Sequence, residues 1–453
     1  MFKLIQTIKN IIKIEDLRIR ILFTLGFILI YRLGSYVVLP GVDPNALAAY
    51  SKQSSEGILG LINMFAGGAF SRASIFALGI MPYISASIVI QLLGIAVPYF
   101  QKLQKEGESG RKKLNQITRV LTIAVTGVQS VAFLSNLKNS ASLAIVSNTN
   151  PEILSPLLFM TMNMILLTAG TLFVMWLGEK ITDKGIGNGI SLIIMIGIVA
   201  RLPLALFAEL DTRLGETGGG LVIFFVEIVA LLAVILGTIL LVQGTRRIPV
   251  QYAKRIVGNR QYGGVRQYLP LKVNAAGVMP IIFAQALMFI PATIAQFFPD
   301  SSAWRGLAAA LNQYTSFWYS FIFAIMIILF TYFYTAVTVN PSQIADDLKR
   351  NGGFIPGIKP GKKTSGYIDT VMSRITLPGS IFLALVAIMP SFAGILKVNT
   401  QFAQFFGGTS LLIMVGVILD TLQQIESHLL MRHYDGLMKS GRIKGRTGSM
   451  GGY

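Results

Sequence analysis

The chain has 453 residues, of which 53% are hydrophobic and only 13% are charged, and it contains two histidines and no cysteine. Soluble globular proteins carry about 25% charged residues, so this composition excludes an ordinary soluble enzyme, and the lack of cysteine excludes disulfides and thiolate metal sites. The formal charge of +19 leaves two classes open: a nucleic-acid-binding protein, or a membrane protein whose basic residues lie on one side.

The first predicted element is an amphipathic helix within residues 1–18. Apolar residues recur there at helical spacing with Lys3, Lys9 and Lys13 between them, which is typical of a helix lying on a membrane surface. A basic N-terminus without helical structure is the alternative interpretation.

Ten apolar segments follow, each long enough to cross a bilayer. A hydrocarbon core about 30 Å thick requires roughly 20 residues of helix. The continuity of the runs favours helices over barrel strands, which alternate apolar and polar residues. The sequence therefore predicts an all-α polytopic membrane protein with ten transmembrane helices, at residues 21–39, 75–98, 117–137, 153–177, 186–207, 220–243, 275–297, 317–339, 374–396 and 409–431.

The basic residues are distributed unequally between the two sides of this bundle. The N-terminus, the even-numbered connections and the C-terminal tail, counted with Arg119 and Arg374 at the adjoining span ends, together hold 31 of the 39 Lys and Arg residues. Because cytoplasmic segments are enriched in Lys and Arg, both termini are predicted to be cytoplasmic.

Two of the predicted cytoplasmic connections are long. Residues 244–274 contain seven basic residues and no acid, and Ile248, Val250 and Tyr252 alternate with other residues, so we expect a twisted hairpin there. Residues 340–373 are rich in glycine and proline, which favours a turn-rich loop rather than a helix.

Residues 57–72, between the first two spans, do not fit the pattern of spanning helices. They are apolar but short and glycine-rich. Irregular backbone at membrane depth requires a surrounding of protein or a water-filled cavity. We predict a re-entrant element packed inside the bundle, and an apolar loop on the outer surface is the alternative.

Few motifs or charges within the spans indicate chemistry. Arg32, Glu227 and Asp420 are scattered, whereas an ion-coupled secondary transporter normally places carboxylates together at the midplane. Residues 357–364 and 185–189 lack the spacing or context of nucleotide-binding loops. An ion-coupled transporter or a small-solute channel therefore remains only as an alternative function.

Five long, irregular stretches make the chain similar to the SecY family of protein translocase channels. The first, Asn63 to Leu93, resembles the plug and second helix of that family, and the similarity extends from about residue 15 to about residue 440. The other stretches are residues 105–113, 176–191, 269–280 and 406–413.

The resemblance implies two pseudo-symmetric five-helix halves, with a pore between them. In this chain the halves would be residues 19–208 and 220–431, hinged between helices 5 and 6, followed by a cytoplasmic tail at 432–453. The re-entrant segment would be a plug helix that closes the outer funnel, formed around Asn63, Met64, Phe65, Gly67 and Gly68.

Two further sets of residues follow from the same resemblance. Gln91 and Asn188 fall at the lateral gate through which transmembrane segments would leave for the lipid, with Asn188 as a helix cap as the alternative. An aliphatic ring at the pore waist would block ions by dewetting while an unfolded chain passes. Its members would be Ile80, Ile84, Ile190, Ile194, Ile282 and Ile413.

The resemblance also implies partners but no catalytic residue, metal or cofactor. The partners would be the SecE and SecG subunits, the motor ATPase SecA, the ribosome, membrane lipids, and secretory and membrane proteins with signal sequences. The ribosome and motor would dock on the two basic loops, where Lys359 stands in place of the family's usual arginine. The docking residues would be Arg246, Arg247, Lys254, Arg255, Arg260 and Lys359. A bacterial inner membrane is the expected location.

Overall fold

The computed structural model describes most of the helical chain. The described residues are 14–44, 47, 63–140, 145, 155–215, 220–252, 255–257, 260–262, 266–285, 287–288, 316–396 and 398–439. The predicted surface helix up to residue 13, the start of the re-entrant segment, Lys254, residues 286 and 289–297 of the seventh predicted span and the last residues of the tail lie outside them.

The first half of the chain is built from helices that follow the predicted spans. They are α1 Glu15–Gly34, α2 Met81–Ala96, α3 Pro98–Lys105, α4 Glu108–Ser140, α5 Pro156–Lys184, α6 Gly189–Val199 and α7 Leu202–Leu214. The chain bends by 99° between α2 and α3, and Arg201 separates α6 from α7. Proline lies in the first turn of both α3 and α7, where its missing N–H costs least and favours a new helix start.

The second half combines helices with a small sheet. Its elements are α8 Gly220–Gln243, β1 Thr245–Tyr252, β2 Arg255–Val257, β3 Arg260–Tyr262, β4 Arg266–Lys272, α9 Phe317–Thr338, α10 Pro341–Arg350, β5 Gly353–Phe354, α11 Lys362–Ile395, α12 Thr400–Ala403 and α13 Gly408–Lys439. The last helix extends eight residues beyond the predicted boundary at 431, into the predicted tail.

Within the described residues, seven helices are long and apolar enough to cross a membrane, or eight if the bent pair α2 and α3 is one span. The helix α1 coincides with the first predicted span but has acidic residues in its first turn and Arg32 in its last. In the seventh predicted span, residues 286 and 289–297 fall outside the described residues, and the helical residues that are described, within 279–288, are too few to cross a membrane. The protein is therefore a multi-pass membrane protein, and the structure is consistent with the count of ten, which stays a prediction.

The predicted hairpin in residues 244–274 is confirmed, and it forms part of a larger sheet. Strands β1 and β4 pair antiparallel from Thr245 opposite Lys272 to Gln251 opposite Arg266. The short strand β5, from the second long loop, pairs with the other edge of β1. The two basic loops therefore form one folded unit rather than two independent projections.

The expectation of a turn-rich second loop without a helix was wrong. Ten of its residues form α10, and α11 begins at Lys362, twelve residues before the predicted span. The amide of Asn340 explains the first helix start, because its oxygen accepts hydrogen bonds from the backbone N–H groups of Ser342 and Gln343 while Pro341 occupies the first turn. Side-chain capping of this kind stabilises a helix start despite flanking turn residues.

Two hydrophobic clusters organise the molecule. The larger one contains residues from the re-entrant segment and from helices of both halves, including Phe70, Leu167, Phe283 and Leu412. The smaller one packs the sheet onto α10 and α11, through Ile248, Val250, Leu271, Leu348, Ile355, Ile368 and Met372. Burial of apolar surface holds the sheet against the long helix α11.

Candidate functional site

The candidate site is centred on residues 63–80, which fill the interior of the first half. Only residues 63–65 are helical, and the rest of the stretch consists of turns. The described part of the predicted plug is therefore one helical turn followed by a folded loop, because glycines interrupt the helix. Asn63, Met64 and Phe65 are buried, so the prediction that the segment packs inside the bundle is confirmed and the surface-loop alternative was wrong.

Two glycines allow this segment to pack against α6. Gly67 and Gly68 have φ angles of 62° and 86°, a left-handed region that favours glycine. A Cβ placed on Gly67 would lie 3.0 Å from the Cα of Gly197. The close approach of segment and helix thus requires a glycine on each side.

Hydrogen bonds and rings hold the base of the segment. The Oδ1 atom of Asn63 accepts from the Ser71 N–H at 3.0 Å, and the Gly68 N–H donates to the Asn63 carbonyl at 2.8 Å. Phe76 stacks between Tyr31 of α1 and Phe173 of α5. Phe76, eight residues after Gly68, therefore anchors the segment to α1 and α5.

The six isoleucines of the predicted ring belong to one hydrophobic cluster. Three of them are buried within it and three are partly buried against it. The members are Ile80, Ile84, Ile190, Ile194, Ile282 and Ile413. Ile80 and Ile84 lie one helical turn apart, since the Ile84 N–H donates to the Ile80 carbonyl, and Ile190 and Ile194 are four residues apart in α6. Membership in one cluster is compatible with a ring, which stays a prediction.

The two predicted gate residues make local hydrogen bonds. Gln91 donates from Nε2 to Ser87 Oγ at 3.4 Å on its own helix. Asn188 caps α6, because its Oδ1 accepts from the N–H groups of Ile190 and Ser191. The capping alternative for Asn188 is confirmed, while a role for either residue at a lateral gate stays a prediction.

The described docking residues lie on the three-stranded sheet, on the separate two-stranded sheet of β2 and β3, and in the turn before α11. Arg246 and Arg247 of β1 and Lys359, between β5 and α11, are exposed to solvent. Arg255 and Arg260 belong to the strands β2 and β3. Because β1 pairs with β4 and β5, the basic residues of both loops are carried by one unit.

A buried group of charges joins α7 and α8. Arg213 donates from Nε to Glu209 at 2.7 Å and from Nη2 to Glu227, and the other oxygen of Glu209 accepts from the Asn399 N–H at 2.7 Å. Glu227, identified in the sequence as an intramembrane charge, thus has a partner on the neighbouring helix. In the described part of the chain, no group of three histidines and carboxylates could hold a metal ion.

Three arginines near the re-entrant segment were not assigned a role from the sequence. Arg32 ends α1, Arg72 follows the two glycines, and Arg201 lies between α6 and α7, yet all three side chains approach Gly67 or Gly68. The acceptors of Arg32 and Arg72 are backbone carbonyl groups, which have no signature in a sequence. The only available signal was the presence of three basic residues in or beside apolar segments.

Comparison with known proteins places this arrangement in a family. The SecY family model matches residues 74–422. The Protein translocase subunit SecY of Streptomyces scabiei is 44% identical over 94% of this chain and 98% of its own length. That of Chlamydia muridarum is 42% identical over 97% of this chain and 99% of its own length.

Solved structures share the fold at lower identity. A structure described as a protein conducting channel has a TM-score of 0.62 at 17% identity, covering 90% of this chain and 92% of that one. Sec61 in the canine ribosome-channel complex from the endoplasmic reticulum has a TM-score of 0.59 at 16% identity, with the same coverage. Because the family model matches well over half of the chain and these relatives span nearly all of it, this protein belongs to the SecY family.

Proposed function

We propose that this chain is the central protein-conducting channel of a Sec translocon and passes unfolded secretory polypeptides across the membrane. The observation that carries the proposal is a glycine-bearing segment folded into the interior of a helical membrane protein of the SecY family. A stable bundle without a conduction pathway has no need to bury irregular backbone in this way. The channel itself is not an enzyme.

The proposed barrier consists of the six isoleucines and the segment at residues 63–72, which acts as the plug. Aliphatic side chains offer no replacement for the hydration shell of an ion, so a narrow apolar ring resists ion flow by dewetting. The same side chains make no sequence-specific demand on a passing polypeptide. The pore would lie between the halves 19–208 and 220–431, hinged where α7 meets α8.

A lateral gate would release hydrophobic segments into the lipid. We place Gln91 and Asn188 near that seam, where polar contacts in lipid contribute only about 0.6–2 kcal/mol each. Contacts of that strength can be displaced by a hydrophobic signal sequence. Membrane lipids and proteins with signal sequences are thus the expected ligands of the gate.

Partners would supply the energy for transport. We propose SecE and SecG as companion subunits, and the motor ATPase SecA or a translating ribosome as the drive. The exposed arginines of the sheet support contacts with RNA phosphates. Lys359 provides a point charge without the planar fork of arginine, so its contact with the motor would be weaker.

The proposed location is the bacterial inner membrane, with both termini in the cytoplasm. The concentration of 31 of 39 basic residues in the N-terminus, the even-numbered connections and the tail, counted with Arg119 and Arg374 at the adjoining span ends, supports this orientation under the positive-inside rule.

Photo-crosslinking tests the channel directly. A stalled secretory chain should crosslink to probes placed at Ile84 and Ile282, which the proposal places at the pore waist. Leu240 is a suitable control because its side chain is 72% exposed on the surface of α8. Crosslinks at Leu240 that equal those at Ile84 and Ile282 would contradict the proposal.

Ion conductance tests the ring separately. Replacing Ile84 and Ile194 with serine introduces hydroxyl groups that can hydrate ions, so ion leak through the closed channel should rise. Conductance in planar bilayers that equals that of the unmodified protein would count against the ring, while leaving the crosslinking test of the channel intact.

A further inference from the structure

Three guanidinium groups surround the turn at Gly67 and Gly68. Arg72 donates from Nη2 to the Gly67 carbonyl at 2.9 Å and from Nε to the Gly68 carbonyl at 3.0 Å. Arg32 donates from Nη1 to the same Gly67 carbonyl at 3.2 Å. A Cβ placed on Gly68 would lie 3.4 Å from Nε of Arg201.

These arginines have an unusual set of partners for a protein interior. Among the described residues, none of the ion pairs includes Arg32, Arg72 or Arg201. Arg32 and Arg72 instead donate hydrogen bonds to backbone carbonyl groups of the segment that we propose as the plug.

We propose that Arg32 and Arg72 form a clamp that holds the plug in its closed position through the carbonyl groups of Gly67 and Gly68. This inference rests on the proposed channel function and assigns the residues that keep the channel shut. Arg72 lies in the plug segment itself, where its two hydrogen bonds span four and five residues and fix the shape of the turn, and its guanidinium packs on Tyr36 outside the plug. Arg32 provides the third hydrogen bond from the end of α1.

The geometry of the turn is matched to a guanidinium. Nε and Nη2 of one planar group reach two successive carbonyl oxygens, so both carbonyls face the same side chain. Lysine has no such fork and could not reproduce this two-point contact. Side chains at the glycines would occupy the position of the clamp, since a Cβ on Gly67 lies 2.7 Å from Arg32 Nη1 and a Cβ on Gly68 lies 2.7 Å from Arg72 Nη2.

The clamp also has a fixed base. The backbone on either side of Ser74 pairs with the chain after α1, because the Leu39 N–H donates to the Ala73 carbonyl and the Ile75 N–H donates to the Val37 carbonyl. The Arg72 guanidinium lies 4.0 Å from the centre of the Tyr36 ring, and that of Arg32 lies 5.8 Å from it. Tyr36 is thus a positioning residue between the two arginines.

The clamp can release as well as hold. Hydrogen bonds from a charged donor are stronger than neutral ones, but a carbonyl dipole attracts a cation less than a carboxylate does. Like charges repel strongly where water is excluded, and Arg201 adds a third cation beside the turn. When the plug leaves, Arg72 would move with it, and Arg32 and Arg201 would face an aqueous pore, where hydration replaces the carbonyl contact that Arg32 loses.

The test compares single arginine variants in the reconstituted translocon, with ion leak in planar bilayers as the readout. R72Q and R72K should both increase closed-state leak, because each loses the two-point contact, and R32Q should increase it less. R201Q should not increase leak, since among the described residues no hydrogen bond joins Arg201 to the plug glycines. R119Q is the control for loss of an arginine, because Arg119 pairs with Glu179 at an exposed site.

Hydrogen–deuterium exchange provides a second readout that does not depend on conductance. R72Q should raise exchange of the amides around Gly67 and Gly68 by about tenfold, roughly the factor that one charge-assisted hydrogen bond contributes. Exchange in α9 should not change, which would show that the variant is folded.

The outcomes separate the clamp from the channel. Wild-type leak and exchange in R72Q, with crosslinking at Ile84 and Ile282 retained, would overturn the clamp and leave the channel standing. Normal leak in R72K together with raised leak in R201Q would mean that charge, rather than contact with the glycines, closes the channel, and would also overturn the clamp. Absent crosslinks at the two isoleucines would instead overturn the proposed function.

Discussion

Gly197 of α6 occupies a position in which a side chain has no room. A Cβ there would lie 2.7 Å from the Phe65 carbonyl oxygen and 3.2 Å from the Gly67 nitrogen. Both neighbours are backbone atoms, which cannot rotate away as the end of a flexible side chain could. The contact between α6 and the proposed plug therefore depends on the absence of a side chain at Gly197.

Replacing Gly197 with alanine should displace the plug and raise closed-state ion leak. Alanine increases helix propensity by about 1 kcal/mol, so α6 itself should persist and the contact with the plug should give way. Gly26 of α1 is a matched control, because a Cβ there meets nothing within 4 Å. Planar-bilayer conductance of the two variants would check this, and equal leak in both would show that the close approach has no part in closure.

At the scale of elements, buried charges connect α7 and α8, which the hydropathy pattern predicts as parts of two separate spans. Side-chain exposure is 9% for Arg213, 0% for Glu209 and 9% for Glu227. The group joins α7 to α8 at the proposed hinge, and Glu209 also receives the N–H of Asn399 ahead of α12. The connection between the two proposed halves is therefore pinned by ion pairs as well as by covalent chain.

Removing the shared cation should destabilise the protein strongly. R213L would leave two buried carboxylates without their partner, and breaking a buried pair costs about 3–5 kcal/mol in the free energy of unfolding. D211N is the control, because Asp211 lies on the same helix but is exposed and exposed substitutions usually stay within about 0.5 kcal/mol. Thermal unfolding of the purified variants measures the difference, and similar unfolding midpoints for both would disprove the structural role of the group.

At the scale of the whole molecule, the sheet converts two distant loops into one basic surface. Gln251 of β1 pairs with Phe354 of β5, and the apolar residues beneath the sheet pack onto α11. A partner that binds this surface is therefore linked by packed structure to a long helix of the second half. A displacement of the sheet would therefore be transmitted directly to α11, because the two are in packing contact.

The exposed arginines of β1 should contribute to ribosome binding through counterion release. Each phosphate contact contributes about 0.7–0.9 to the slope of log affinity against log salt, so R246Q/R247Q should reduce that slope by roughly 1.4–1.8. K112Q/K113Q removes the same charge from exposed positions of α4 and serves as the control. Ribosome binding measured across a salt series would contradict the assignment if both double variants changed the slope equally.

Some features of the fold could be predicted from local pattern alone. Long apolar runs predicted the helices, and the alternation at Ile248 and Val250 predicted the hairpin, because both signals reflect burial within one element. The bend at Pro98 and the helix α10 are also encoded locally, by proline and by the Asn340 cap. The second long loop was predicted to lack a helix because its glycines and prolines favour turns, whereas the Asn340 cap favours a helix start.

Other features could not be found in this way. The pairing of β1 with β5 joins residues about a hundred positions apart, and it uses backbone groups that every residue possesses. The ion pair between Arg213 and Glu227 depends on how two helices cross. The ring of isoleucines was predicted only from the family resemblance, because an isoleucine that faces a pore and one that faces lipid cannot be distinguished in a sequence.

The amino-acid sequence by itself determined that this protein enters the membrane, how its charge is distributed along the chain, and to which family it is similar. Those properties are sums or periodicities of side-chain hydrophobicity and charge, and they do not depend on which elements meet. Only the tertiary structure decided that Gly67 approaches Gly197 and that Arg32 binds a carbonyl of a buried turn 35 residues away. Such contacts depend on the positions of backbone atoms from distant segments, and these are defined only when the helices have packed.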